Sequence, residues 1–205
     1  GWRHCWPRNG KISTVTLALP PMTLTNFKAF ALRSEKRRIT ILERSRMLGE
    51  IGALISLQPN ASKIVNEWNL SRFLQATKPL IDRAFRVFNT DGDCVRDIPL
   101  PEGQFGANRV LYHRQDLHAA LKEAATDENI NGRPVEIRTG CCVVQTDCEA
   151  GVVTLDTGEQ ISGDIIIGAD GIHSSVRTAV LGEEHKAIPT GLSAYRMLIP
   201  AENLK

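Results

Sequence analysis

The apolar positions of this chain fall into short alternating runs and longer helical stripes, with turn residues between them. "STVTLALPPMTLTNFKAFALRSEK" opens as a strand, breaks at Pro20-Pro21, and resumes as a short helix over "TNFKAFALRSEK". "RRITILERS" predicts a strand with Ile39, Ile41 and Leu42 apolar and Glu43 at its end. "LQPNASKIVNEWNL" predicts a helix with Asn60 as N-cap and Ile64, Val65 and Trp68 on one face. "RVFNTDGDCVRDI" reads as a hairpin turning at Asp91-Gly92. "HRQDLHAALKEAAT" is a helix, with Leu117, Leu121 and Ala124 at helical spacing and Asp116 in the first turn.

The last third alternates more tightly. "PVEIRTGCCVVQTDCE" and "GVVTLDTGEQISG" read as strands, the second turning at Asp156 to Gly158. "DIIIG" is a wholly apolar strand, the pattern of one buried on both faces. "SSVRTAVLG" follows as a helix stopped by Gly182. No internal repeat interrupts the series, and the mixture of elements predicts an α/β fold.

Composition narrows the class. The chain has 205 residues, 42% hydrophobic and 23% charged, which is ordinary for a globular protein. A formal net charge of +2 gives no reason to expect nucleic acid as a partner. No apolar run approaches the roughly 18 residues needed to span a bilayer, so no stable membrane insertion is expected. "GWRHCWPRNGK" lacks the apolar core of a secretory signal. The five cysteines are odd in number, and Cys141 and Cys142 are adjacent, so reduced thiols in a cytoplasmic protein are expected. The chain starts at Gly1 and stops at "IPAENLK", just past a strand-like run, which suggests cuts at both ends or the product of a faulty gene model. His113, His173 and His185 have no metal-ligand spacing, so no metal site is expected. Lys36-Arg37-Arg38 reads as a solvated corner between helix and strand.

The chemistry concentrates in "DIIIGADGIHSSVR", a strand, a tight turn, then a helix. Gly168 and Gly171 permit backbone angles and close approaches closed to other residues. Asp170 falls where the strand ends, the ligand-binding edge of an open α/β sheet. Two roles are open to it. It can brace the loop by accepting backbone N–H groups. Alternatively, the loop can present the following helix N-terminus, capped by Ser174 or Ser175, to a phosphate.

This stretch resembles the Asp-Gly motif of the class A FAD-dependent monooxygenases, the aromatic hydroxylases similar to salicylate hydroxylase. The match runs through Asp164, Gly168, Ala169, Asp170, Gly171, Ser174 and Arg177. "ITILERS" is similar to the family's second strand, whose terminal acid binds the adenosine ribose of FAD. That implies Glu43, followed by Arg44, at the cofactor. "GEIGALISLQPNA" resembles a segment passing close to the flavin and implies Gly52 and Ala53 there, with Leu54 where the family has a glycine. "HRQDLHAAL" implies a flavin contact for Arg114, and "SAYRMLIP" implies an active-site role for Arg196. The ordinary alternatives are a solvated strand-end acid for Glu43 and surface positions for the two arginines.

The resemblance covers roughly residues 36 to 200 and implies a Rossmann-like FAD-binding domain over 1–182. Residues 72–110 would form an interleaved substrate layer, and 183–205 the beginning of a β-sheet substrate domain. It implies FAD and NAD(P)H as cofactors and a small organic molecule, hydroxylated or epoxidised with O₂, as substrate. The family's Gly-x-Gly-x-x-Gly should lie about 20 residues before the ribose acid. Here no glycine occurs between Gly10 and Gly49, and the three positions hold Pro20, Met22 and Thr25. The family's C-terminal half, with its Gly-Asp motif, has no counterpart in the chain. A non-catalytic remnant or weak nucleotide-binding module is therefore the competing expectation. A plain NAD-dependent Rossmann oxidoreductase is a third.

Overall fold

The computed structural model describes residues 14–19, 29–46, 54–184, 186–193, 199 and 201–203. In chain order its elements begin with β1 (Thr14–Leu19), β2 (Arg38–Glu43), β3 (Leu54–Leu57), α1 (Pro59–Glu67) and α2 (Ser71–Leu74). There follow β4 (Leu80–Ile81), β5 (Ala84–Phe88), β6 (Cys94–Pro99), β7 (Val110–His113) and α3 (Arg114–Thr126). The chain continues through β8 (Glu136–Thr139), β9 (Val143–Asp147), β10 (Val152–Leu155), β11 (Gln160–Ser162), β12 (Ile165–Gly168) and α4 (Ser175–Leu181). The chain divides into two compact units, one of Gly1–Gly49 with Leu121–Ala194, the other of Glu50–Ala120 with Tyr195–Lys205.

The first unit is built on a parallel sheet of order β12-β1-β2-β8. β2 is deeply buried, with Ile39, Ile41 and Leu42 at most 1% exposed. The two-residue period of a strand sends these side chains to opposite faces. Ile39 and Ile41 join Val15, Ala29, Ala125 and Val135 in one core. Leu42 joins Cys141, Val153 and Leu155 in another. The second core lies under an antiparallel meander, β11-β10-β9, whose β10–β11 turn closes at Gly158 with φ of +84°. Periodicity places these strands but does not reveal that β8 joins the parallel sheet while β9 to β11 leave it.

The wholly apolar β12 stands at an edge of the described sheet rather than at its centre. Ile165 and Ile167 pack on the first core and Ile166 on the second, so both faces are covered while each residue stays half-buried. α4 seats closely on this strand because Gly168 has no side chain. A Cβ there would lie 2.6 Å from Val176.

At the amino end of the sheet the chain is tied down by polar contacts. The Arg33 guanidinium donates to the carbonyls of Ala124, Ala125, Asp127, Ile130 and Gly132 at 2.7–3.2 Å, gathering carbonyls at the end of α3 and in the loop beyond it. Burial holds its pKa below the usual arginine value, against the opposing pull of Asp127 and Glu35. The Asp164 carboxylate accepts from the Thr14 N–H at 2.7 Å, linking the starts of β12 and β1. The basic corner is ordinary, with Lys36 and Arg38 exposed and Arg37 donating to the Leu32 carbonyl at 3.0 Å.

In the second unit, β3-β7-β4 form an antiparallel sheet and β5–β6 a separate hairpin that turns at Gly92, φ +90°. The expected cap of α1 is corrected. Pro59 takes the first helical position and Gln58 the cap, without a side-chain bond. Proline is pre-set for that position and displaces Asn60 into the helix, where its Oδ1 accepts from the Ala61 N–H at 2.9 Å. Val65 is buried, whereas Ile64 is 37% exposed, so the expected apolar face is only partly used. α3 matches the pattern that predicted it, and Leu117, Leu121 and Ala124 are all buried. No described helix is long and apolar enough to cross a membrane.

Candidate functional site at the carboxyl edge of the parallel sheet

The strand register brings two of the expected site regions to one edge. Leu19 pairs with Glu43, Glu43 with Thr139, and Ala18 with Gly168, so β1, β2 and β12 end nearly in step. Parallel strands ending together leave a crevice at their carboxyl ends, where ligands of open α/β sheets bind. Glu43 lies there and is 3% exposed. It shares a strand face with Ile39 and Ile41. One carboxylate oxygen accepts from the Ser45 N–H at 2.7 Å, and its carbonyl accepts from Cys141 N–H at 2.9 Å. A buried glutamate at a strand end is not the solvated acid of the ordinary reading. Arg44 beside it is exposed.

The loop after β12 is self-contained. Asp170 Oδ2 accepts from the N–H groups of Ser175 at 2.7 Å and Val176 at 3.1 Å, and from Ser175 Oγ at 3.1 Å. Its Oδ1 accepts from Ser174 Oγ. Ser174, rather than Ser175, caps α4, its Oγ accepting from the Arg177 N–H at 2.9 Å. Gly171 takes φ of +77°, the left-handed turn expected of it. The three N–H groups that open α4 are thus occupied by Asp170 and Ser174. Of the two roles left open for this loop, the geometry builds the brace.

Arg114 stands in the second unit as the first residue of α3, directly after β7, and is half-buried. Leu54, at the family's glycine position, opens β3 and is 57% exposed. Gly52, Ala53, Arg196 and the segment with Pro20, Met22 and Thr25 lie outside the described residues. Two polar clusters escaped the sequence reading. One is the Arg33 clamp. The other joins Asp82 to Arg109 Nε at 3.1 Å, with Ser56 Oγ accepting from the same nitrogen at 2.9 Å. It borders a cavity of about 70 Å³ in the second unit, room for a few waters rather than an aromatic ring. Their members are too far apart in sequence for spacing to signal them.

Other chemistry is quiet. Burial pushes the Cys141 thiol above its usual pKa, so it stays protonated in the core. Cys94, Cys142 and Cys148 are likewise outside any disulfide. No group of His, Cys, Asp and Glu among the described residues could hold a metal ion.

The residues fit one end of an FAD molecule. A buried carboxylate at the end of the second strand can accept both hydroxyls of an adenosine ribose. The start of α4 does not fit a diphosphate, and the positions after β1 lie outside the described residues. Pro20 and Pro21 follow β1 directly and carry no N–H, and the amides at the start of α4 are already used.

No family model matches the chain. It is 33% identical over 168 residues to FAD-dependent monooxygenase phomE' of Diaporthe leptostromiformis, covering 80% of this chain and 42% of that protein. It is 31% identical over 181 residues to 3-hydroxybenzoate 6-hydroxylase 1 of Aquipseudomonas alcaligenes, covering 86% of this chain and 45% of that one. The solved structure of 2-methyl-3-hydroxypyridine-5-carboxylic acid oxygenase superposes with a TM-score of 0.68 at 24% identity, over 83% of this chain and 43% of that chain. The fold is that of the class A flavin-dependent oxygenases. The chain is a relative of the FAD-dependent monooxygenases and spans less than half the length of these curated relatives.

Proposed function

We propose that this chain carries the adenosine end of the flavin-binding portion of an FAD-dependent monooxygenase. The whole protein would use NAD(P)H and O₂ to hydroxylate or epoxidise a small organic substrate, aromatic or of secondary metabolism, in the cytoplasm. FAD supplies the redox chemistry when bound, and the protein binds, orients and shields it. Glu43 would hold the ribose, with Arg44 beside it. Arg114, Gly52 and Ala53 would face the flavin, and Arg196 the substrate. Asp170 and Gly171 would shape the edge of the site. The flavin domain would span 1–182, with 72–110 as substrate layer and 183–205 opening the substrate domain.

The observation that carries this reading is the burial of Glu43 at the end of β2, opposite the last residue of β1. A titration with adenosine tests it. Wild type should bind, and Glu43→Gln should bind about tenfold more weakly, roughly the worth of one charge-assisted hydrogen bond. Equal affinities would return Glu43 to a structural role. A second reading, a non-catalytic nucleotide-binding remnant, draws its support from the glycine-free exit of β1.

A further inference from the structure

We propose that the groove between α1 and the loop joining β6 to β7 is a binding site for an aromatic monocarboxylate, a small free acid whose ring rests on Phe105 and whose carboxylate meets Lys63. The proposal does not rest on the reading of Glu43.

The groove begins with the sequence of α1. Asn60, Lys63, Ile64 and Glu67 recur at helical spacing and share one stripe of the helix. The buried residues of α1 are Ser62 and Val65, and Ile64 is left 37% exposed. The loop after β6 stands against that stripe. Two glycines of positive φ set its turns, Gly103 at +70° and Gly106 at +75°. The Gly103 N–H donates to Asn108 Oδ1 at 2.7 Å, and the Gly106 N–H donates to the Gly103 carbonyl at 2.8 Å. The loop is closed by its own bonds, and it holds Phe105 62% exposed. A ring held in water forgoes the burial that an aromatic side chain usually gains. Between helix and loop lies an open groove of about 480 Å³, lined by Pro59, Asn60, Lys63, Ile64, Glu67 and Phe105. That is the size of a small-molecule site.

Lys63 supplies the charge. Its ordinary partner would be Glu67, one turn further along the helix. Among the described residues no ion pair joins them. A Cβ at Gly106 would stand 3.0 Å from Lys63 Cε and 3.3 Å from its Nζ, so the lysine reaches across to the loop instead. An ammonium, an exposed ring and an apolar lining in one place select a ligand with a flat apolar body and one negative charge. Glu67 in the same lining disfavours a second negative charge. The groove is also apart from the expected flavin contact. Leu57 pairs with Val110 at the groove end of the β3–β7 ladder, and Leu54 pairs with His113 at the end that leads into Arg114. That length of strand is about 10 Å.

The test is a ligand-observed NMR titration of the full chain at low salt with benzoate, benzamide, benzylamine and acetate. Benzoate should saturate with a Kd of about 1 mM or below. Benzamide keeps the ring and acetate keeps the charge, and each should bind at least about fivefold more weakly. Lys63→Met should weaken benzoate about fivefold and leave benzamide unchanged, whereas Phe105→Ala should weaken both. Both positions are exposed, so both variants should melt like wild type, and Lys63→Gln or Phe105→Leu replaces one that does not. Benzoate that does not saturate below about 10 mM overturns the proposal. So does benzoate that binds both variants as tightly as wild type, or no more tightly than benzylamine binds wild type.

Discussion

The two ends of the parallel sheet use charge in opposite ways. At the amino end, Arg33 spends its guanidinium on five carbonyls of the chain, and Asp164 spends a carboxylate oxygen on Thr14. Glu35 accepts from the Gly132 N–H at 2.9 Å, and the Arg133 N–H reaches the Ser34 carbonyl at 3.3 Å. These contacts bind residues 33–35 to residues 124–133. At the carboxyl end, Asp170 is likewise consumed by its own loop, but Glu43 stands buried at the strand end beside the exit of β1. The comparison teaches that a charged residue at a sheet end is not by itself a functional signal. The two acids differ in what surrounds them. Asp170 precedes a helix whose first amides need acceptors, whereas Glu43 ends a buried strand and accepts from the Ser45 N–H.

Substitutions at the two ends should separate stability from binding. The largest effect is expected from Arg33→Met, which strips the donors from the carbonyls at the end of α3. We expect a loss of about 2–4 kcal/mol in urea unfolding and adenosine affinity unchanged after correction for the folded fraction. A melt like wild type would mean that water serves those carbonyls as well as the guanidinium does.

Asp170→Ala comes next. It removes the acceptor for two amides and two hydroxyls, and we expect about 1–3 kcal/mol of lost stability in ligand-free protein. Asp170→Asn, which keeps the shape and part of the acceptor capacity, should recover some of it. If Asp170→Ala unfolds like wild type but loses ligand, the brace is wrong.

Glu43→Gln should invert this pattern. The amide oxygen can still accept from Ser45, so stability should change by less than about 1 kcal/mol while adenosine binding falls. A large stability loss with unchanged binding would place Glu43 with the amino-end residues.

The smallest effect belongs to a surface pair. Arg138 reaches Glu159 with two bonds of 2.9 and 2.7 Å and holds its carboxyl below the usual carboxylate pKa. A depressed acid contributes stability above its unfolded pKa and loses it as pH falls through the folded value. The contribution should therefore fade on acidification below the ordinary carboxylate range, and shrink in high salt because the pair is exposed. Glu159→Gln should melt nearly as wild type at neutral pH and lose part of this acid dependence. A drop comparable to that of Asp170→Ala would show the pair doing more than a surface pair can.

Local patterns in the sequence determined a good deal of this protein. Alternation and helical spacing placed β2, α3, the hairpin at Gly92 and the turn at Gly158, because each rests on contacts a few residues apart. The Gly-Ala-Asp-Gly turn announced a strand-to-helix corner, and Gly171 was needed for its positive φ. The absence of glycine after β1, and the prolines in its place, were equally plain, since a missing N–H is a property of the residue itself. Only the tertiary structure decided the rest. An apolar run such as "IIIG" has one appearance at the centre of a sheet and at its edge, and only strand order chose the edge. Asn60 yielded its cap to Gln58 because Pro59 suits the first helical position better than a side-chain bond competes for it. Nothing in the sequence singled out Arg33, and folding carried carbonyls from nearly a hundred residues away to its guanidinium. Asp170 and Glu43 are both strand-end acids in the sequence. How each is used depended on the donors that the chain brought within hydrogen-bonding distance, two amides and two hydroxyls at Asp170 and the Ser45 N–H at Glu43, and distance in space is what a sequence does not carry.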